Sequence, residues 1–333
     1  MSSEKFFTSK KALITLIAAS LVVIVSLGIR QTFGLFFFDF NADLNISISH
    51  FGFVIGLQLL MWGVFSPIFG FITDRYGGAT AIFIGFLFYL AGLFLFYSGL
   101  NTGYLFTLTI GLLIGIGLGG TAISIPVSVV AKHFPSSNRT IATGIVTCAG
   151  SFGFFVSPLL VRYSLIEIGW EITILYFCFL LGIGLITALF ISTPKTPVGN
   201  NDNNNQTAKE ALIEAFNNKS FIFLTLGFFV CGWHIALVAT HIPTYMMDRG
   251  MPDWTAAMIL ALVGVFNMIG TMGSGYLATK FSKKKVLSAI YLLRGVSLIY
   301  FLYLPPSVFN SVVFGVTFGL LWLSTVPPTN GLV

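Results

Sequence analysis

Ten stretches of this chain are apolar for about 20 residues each, the length that crosses a bilayer as a helix. They run roughly over 12–37, 49–72, 79–98, 104–131, 140–161, 171–192, 221–246, 254–278, 285–304 and 308–330. Inside lipid a backbone must satisfy its own hydrogen bonds, so segments of this length are expected to be helices. The composition leaves no soluble alternative. Hydrophobic residues make up 56% of the chain and charged residues 8%, against about 25% charged in a soluble domain. Phe alone occurs 36 times, which suits a surface facing lipid. The first apolar run, after MSSEKFFTSKK, is too long for a signal-peptide core and lacks a small-residue cleavage site, so it reads as a retained span.

The basic residues divide by side. Of the 17 Lys and Arg, thirteen fall in the N-terminus or in loops on its side of the spans. Only Arg162 and Arg249 fall opposite, and Arg30 and Arg294 lie inside spans. The positive-inside rule then places the N-terminus and the long central loop in the cytoplasm, with the chain in a cell inner membrane. The net charge of +6 follows from this placement, so no nucleic-acid partner is expected. Cys148, Cys178 and Cys231 are widely spaced within apolar runs, and His50, His133, His234 and His241 form no ligand-spaced pair. No metal, cofactor or catalytic cluster is therefore expected, and the chain is read as a monomer that is not an enzyme.

The loop GFITDRYGGAT, Gly70 to Thr80, recurs in weaker form as GYLATKFSKKK from Gly275, an offset of 205 residues. This predicts a duplicated unit, the plan of many secondary transporters. The expected domains are a six-helix bundle over 1–192, a linker over 193–219 and an incomplete second bundle over 220–333. The linker is Asn-rich at first and carries a short amphipathic helix from Ala208 to Phe216. Applying the offset to the fifth and sixth spans predicts two more near 345–397. The chain is thus expected to be a ten-span piece of a twelve-span carrier.

Six spans, a linker and repeated loops after spans two and eight resemble the major facilitator superfamily. Its loop motif is approximately G-x-x-x-D-R-x-G-R-R/K, matched here by Gly70, Asp74, Arg75 and Gly77, with Gly78 and Ala79 in place of the final bases. The resemblance implies a fold of two six-helix bundles. It also implies a conformational latch at Gly70, Asp74, Arg75 and Gly77 that holds the outward-facing state. GIRQTFGLF, RTIATGIVTCAGSFGFFVSPL and GLLWLSTVPPTNGLV are similar to the bacterial monocarboxylate-transporter and oxalate/formate-exchanger branch.

Ionisable groups inside a bilayer are functional candidates by default. Arg30 lies about 18 residues into the first span, about 27 Å along it, and its planar fork suits a carboxylate. Adding 205 to its number gives a position beside His234, in the span that resemblance pairs with the first in lining a central cavity. His234 and His241 are two helical turns apart and are expected to share a face. The candidate substrate-binding residues are Arg30, Gln31, His234, His241, Asn267 and Arg294. Alternatives stand beside them. Arg294 can cap backbone carbonyls, while Asn267, Gln31 and Gln58 can bridge helices. The histidines can bond to neighbouring helices, and Trp62 and Trp322 can be gate walls or packing. All eleven acidic residues fall in loops, termini or span ends, which favours an anionic ligand. Gly111 to Gly120 contains G-x-G-x-x-G, but inside an apolar span it reads as a small-residue stripe for helix contact.

The sequence thus predicts a secondary transporter of a small organic anion, a mono- or dicarboxylate, working by alternating access with proton coupling or anion exchange. Efflux of amphiphilic small molecules and a non-transporting membrane sensor or partner protein are the alternatives. The expected partners are the anion, a proton and the lipid bilayer.

Overall fold

The computed structural model describes residues 10–99, 103–192, 214 and 216–330. The Asn-rich part of the expected linker and most of the expected helix from Ala208 to Phe216 lie outside the described residues. Among the described residues every regular element is helical and nine helices are long and apolar enough to cross a membrane, so the chain is a multi-pass membrane protein. We number the spans α1 (Lys10–Leu44), α2 (Ile48–Tyr76), α3 (Gly78–Tyr97) and α4 (Gly103–His133). Ser136–Leu189 is one long helical run broken at Gly169 into α5 (136–168) and α6 (170–189). The rest are α7 (Lys219–Asp248), α8 (Trp254–Lys280), α9 (Lys283–Tyr303) and α10 (Val308–Thr329).

Each of the ten apolar runs falls on one of these spans, but the connection between the fifth and sixth differs from expectation. Helix continues through the polar stretch at 162–168, and the chain reverses at Gly169 alone. Its φ of 77° and ψ of 172° lie in a region open essentially to glycine. Gly169→Ala is therefore expected to cost about 1–3 kcal/mol, read as a lower melting temperature in detergent. An unchanged melt would show that the turn relaxes to another geometry.

The expected small-residue stripe is the packing face of α4. A Cβ on Gly111 would meet Val54 and Leu57, one on Gly115 would lie 2.6 Å from the Gln58 carbonyl oxygen, and one on Gly119 would meet Phe65, all on α2. Gly117 faces the other way, where a Cβ would lie 2.7 Å from the Gly85 carbonyl on α3. Phe does more than face lipid. Phe40 packs against Phe36, Phe96, Phe106 and Trp170 with ring centroids 5.3–5.8 Å apart, and all four phenylalanines are fully buried. Trp170 Nε1 donates to Asp43 Oδ2 at 2.6 Å, anchoring the start of α6 to the end of α1.

Every third span is interrupted. In α1 a 3-10 turn occupies Phe33–Phe36, and in α7 a π-helical turn occupies Leu237–His241. Adding 205 to 33–36 gives 238–241, so the two distortions are counterparts. In α4 the helix breaks after Thr121, and in α10 it breaks over 322–325. Discontinuous helices are where transporters build ligand sites, because interrupted backbone is tolerated at membrane depth only around a cavity or inside protein.

Among the described residues, five close contacts mark the join between the first six spans and the last four. Gly34 of α1 meets α7 so closely that a Cβ would overlap the Ala239 carbonyl oxygen, and 34 + 205 is 239. Gly264 of α8 meets the backbone of Phe154 and Phe155 on α5, and Gly52 of α2 faces the His241 ring. Asn267 Nδ2 donates to Ser151 Oγ at 2.7 Å, and Arg162 Nη2 donates to Asp253 Oδ1 at 2.9 Å. All five lie between mid-span and the end that carries Arg162 and Asp253, so the structure is closed at that end. An apolar cluster continues across the join, from Val23 and Leu27 of α1 to Val238, Leu260 and Phe318.

The hydrogen bond from Arg162 holds the Asp253 carboxyl below its ordinary value of 3.8, outweighing a smaller opposing effect of burial. A depressed carboxylate contributes its stabilisation in full above the ordinary value and loses it as pH falls through the lowered one. This end is thus expected to loosen only in strong acid. Asp253→Asn should reproduce that loosening at neutral pH by no more than about 1 kcal/mol, because the pair is exposed. Melting curves between pH 7 and about pH 2 check it. An equal pH response in wild type and variant would sink the assignment.

Candidate functional site

Arg30 sits on the last turn of the regular helix in α1, just before its 3-10 turn. Thr32 prepares the change of pitch, its hydroxyl donating back to the Ile29 carbonyl at 2.8 Å. Arg30 is 3% exposed and Gln31 fully buried. Nε and Nη2 of Arg30 and both amide atoms of Gln31 have no hydrogen-bond partner. The ion pairs Lys132–Asp74 and Arg162–Asp253 lie elsewhere and do not involve Arg30. Removing a charge from water costs several kcal/mol unless something compensates it. Buried polar atoms without partners call for an explanation, and a ligand or ordered water that completes them is one.

The wall beside Arg30 comes from three spans. Ser26 Oγ and Thr121 Oγ1 are 2.7 Å apart, joining α1 to the break in α4. The Tyr89 hydroxyl of α3 donates to the Ser26 carbonyl at 3.4 Å and lies within Coulombic reach of Arg30. Sequence reasoning passed over Ser26, Tyr89 and Thr121, and the available signal was weak: single hydroxyls within apolar runs. Gln58 donates to the Ile110 carbonyl at 2.9 Å, bridging α2 to α4, while its Oε1 is unpartnered.

His234 stands at a depth comparable to Arg30. Neighbouring spans alternate in direction, so α1 and α7 run the same way, and they cross where Gly34 meets Ala239. Arg30 is four residues before that crossing and His234 five, about 6 and 7.5 Å along the helices. His234 is half-buried, its Nδ1 has no partner, and its ring stands edge-on to Phe318 at 6.2 Å. His241 does not share its face. The π turn at Leu237–His241 puts an extra residue into the turn, so a seven-residue spacing no longer returns to the same side. His241 is exposed beside Gly52.

Arg294 and Asn267 are engaged within the protein. Arg294 is 1% exposed, and its Nη2 donates to the Leu321 and Trp322 carbonyls where α10 breaks. Its guanidinium lies over the Tyr291 ring at 5.4 Å, and Tyr291 in turn donates to the Gly227 carbonyl at 2.7 Å. The cation thus answers the carbonyl end of a helix segment. Besides its bond to Ser151, Asn267 accepts from the Leu323 amide at 2.9 Å and the Thr271 hydroxyl at 3.1 Å, so it ties α8 to α5 and α10. Trp322 is buried against Phe318, while Trp62 is partly buried and packs against both apolar clusters.

At the opposite end of the spans, Asp74 accepts from Lys132 Nζ of α4 at 2.9 Å, an exposed pair. Arg75 lies over the Tyr76 ring at 5.6 Å. Gly77 makes the turn into α3 with φ 94°, its amide donating to the Thr73 carbonyl at 3.0 Å. A Cβ on Gly70 would meet nothing within 4 Å.

Comparison with known proteins agrees with this architecture. The family model of the Major Facilitator Superfamily matches residues 19–333. The agnestins efflux protein AgnL12 of Paecilomyces divaricatus is 24% identical over 315 residues, 93% of this chain and 70% of that protein. The hexuronate transporter of Bacillus subtilis (strain 168) is 23% identical over 274 residues, 77% of this chain and 62% of that protein. The chain therefore spans 62–70% of the length of these curated relatives. Among solved structures, a bacterial homologue of the human lysosomal transporter Spinster, in an inward-facing and unoccupied conformation, superposes with a TM-score of 0.73. That match has 17% identity and covers 98% of this chain and 75% of that one, a likeness of fold.

Proposed function

Because the chain belongs to the Major Facilitator Superfamily, we propose that it serves as a secondary carrier that moves a small organic anion by alternating access. The observation that carries this reading is Arg30, a buried guanidinium with two unpaired nitrogens beside an unpaired Gln31, in a chain whose acids all lie in loops, termini or span ends. A carboxylate supplies acceptors for the guanidinium fork and for the Gln31 amide nitrogen, and leaves Gln31 Oε1 to a donor. A hexuronate is a carboxylate too, so the Bacillus subtilis relative carries cargo of the proposed class.

In this scheme residues 1–192 and 220–333 move as two bundles about the linker over 193–219, with the N-terminus cytoplasmic in a cell inner membrane. The state described is closed at the Arg162–Asp253 end. In the opposite state Asp74 and Arg75 act as a latch, and Asp74 first has to leave Lys132, which it holds here. Coupling is by anion exchange or by a proton taken up at His234.

The test is uptake of labelled mono- and dicarboxylates into proteoliposomes holding the purified chain. Saturable uptake, competed by unlabelled carboxylates and indifferent to organic cations, is the expected result. The efflux relative favours a second reading, in which the cargo is amphiphilic. Binding of amphiphilic compounds with no carboxylate bound or moved would put that reading in place of the first.

A further inference from the structure

Positions 205 residues apart differ in bulk where the two halves have equivalent spans. On α2 stand Phe65, Ile68 and Phe69, and their counterparts on α8 are Gly270, Gly273 and Ser274. In the first half Phe69 is 2% exposed. Its ring lies 2.7–3.1 Å from where a Cβ on Gly119 or Gly120 of α4 would stand. The second half has no such plug. A cleft of about 490 Å³ opens instead between α8 and α9, with Leu320, Leu321 and Ser324 of α10 as its floor. A Cβ on Gly273 would meet nothing within 4 Å. The cleft is also not the side of α9 that pairs with another span. In the first half α6 meets α3 at Phe86, whose ring lies 2.6 Å from where a Cβ on Gly184 would be. The counterpart of Phe86 is Tyr291, which faces α7 through its bond to the Gly227 carbonyl, away from the cleft.

The wall asks for an apolar occupant. The hydroxyls of Ser274 and Ser324 are spent within their own helices, donating to the Thr271 and Leu320 carbonyls at 3.0 and 2.6 Å. From Phe281 to Ile269 the cleft follows α8 for twelve residues, about 18 Å. One leaflet's share of the hydrocarbon core is about 15 Å. The mouth lies at the Asp74 end of the spans, the end that the excess of Lys and Arg assigns to the cytoplasm. There Lys285 lines the cleft, exposed and without an ion pair among the described residues. Lys280, Lys283 and Lys284 stand within five residues of it, and no Asp or Glu follows Asp253 in the sequence. Anionic lipids give the cytoplasmic leaflet its negative potential, and basic pockets between spans on that side bind their headgroups.

We propose that the cleft between α8 and α9 binds one anionic phospholipid of the inner leaflet. An acyl chain lies along Gly273 and Ser274, and the phosphate sits at Lys285. The chain takes in the second half the place that Phe69 takes in the first. It also meets Leu321, whose carbonyl Arg294 holds at the break in α10, so the lipid braces that break from outside. The site is independent of what the carrier moves.

Photolabelling of the full chain in phosphatidylcholine vesicles tests this. The probes are phosphatidylglycerol and phosphatidylcholine with the same chains, each carrying a photoreactive group midway along one chain. Phosphatidylglycerol should label residues 269–293 and 320–324 well above their counterparts 64–88 and 115–119. It should also label them about fivefold more than phosphatidylcholine does, the effect of one lysine near the membrane surface. Gly273→Leu fills the cleft and should remove the excess for both lipids. Ala289→Ile, which restores the bulk of Ile84, is a second route if the first variant folds poorly. Lys285→Gln should bring the ratio of the two lipids to near one. Lys284→Gln should leave that ratio unchanged, because Lys284 lies on the α7 side of α9. Equal labelling of the two halves, equal labelling by the two lipids, or an excess that survives both filling variants overturns the proposal. So does an equal effect of the two lysine substitutions, which a diffuse basic patch would give.

Discussion

Arg30→Gln should abolish saturable carboxylate uptake and at the same time raise the melting temperature of the protein. The pairing of the two effects is the diagnostic. A guanidinium whose work was structural would leave bonds broken when removed, and the protein would soften. Here Nε and Nη2 have no partner to lose, and the side chain is buried at 3% exposure. An uncompensated buried charge is a standing cost, and exchanging it for a neutral amide is expected to stabilise by about 1 kcal/mol or more. The ligand loses the opposite way. Truncating one member of a buried charge pair costs about 2–5 kcal/mol, which is roughly a thirtyfold to several-thousandfold loss of affinity. Uptake by proteoliposomes and thermal melting in detergent read the two effects separately. Wild-type KM in the variant, or a lower melting temperature, would remove Arg30 from the site.

Gly34→Leu is expected to hold the closed end open. The hydrogen of Gly34 is all that fits against the Ala239 carbonyl, and the next atoms met are Thr240 O and Pro243 Cγ. A packed interface absorbs an added side chain only by shifting backbone, at about 1–3 kcal/mol. Two bundles that can part have a cheaper way out, which is to separate. Spin labels at Glu167 and Arg249, both exposed near that end, should therefore report a longer distance in the variant, and transport should stop. Gly63→Leu is the matched control, since a Cβ there would meet nothing within 4 Å, and it should move neither readout. An unchanged label distance in Gly34→Leu would mean that the crossing is fixed packing with no part in opening.

Much of this could be read from the chain alone, and the reason is the solvent. Lipid forbids unpaired backbone and charge, so span number, the sided distribution of Lys and Arg and the duplicated loop all had to be written as apolar runs and their punctuation. Positions 205 residues apart also meet in the structure, where Gly34 touches Ala239 and the 3-10 turn of α1 answers the π turn of α7. Pairing histidines by spacing failed for a local reason. Seven residues make two turns only in a regular helix, and the π turn between His234 and His241 is not regular.

Sequence by itself determined a helical, duplicated membrane protein with two arginines inside its spans, because hydropathy and charge are properties of residues one at a time. Only the tertiary structure decided what those arginines are. In composition and setting Arg30 and Arg294 look alike, and both are buried. One meets the carbonyls of a helix that breaks at Trp322, and the other meets no partner for two of its nitrogens. That difference depends on where a helix on another part of the chain stops. Helix breaks are set by packing against neighbours, to which a one-dimensional pattern is blind.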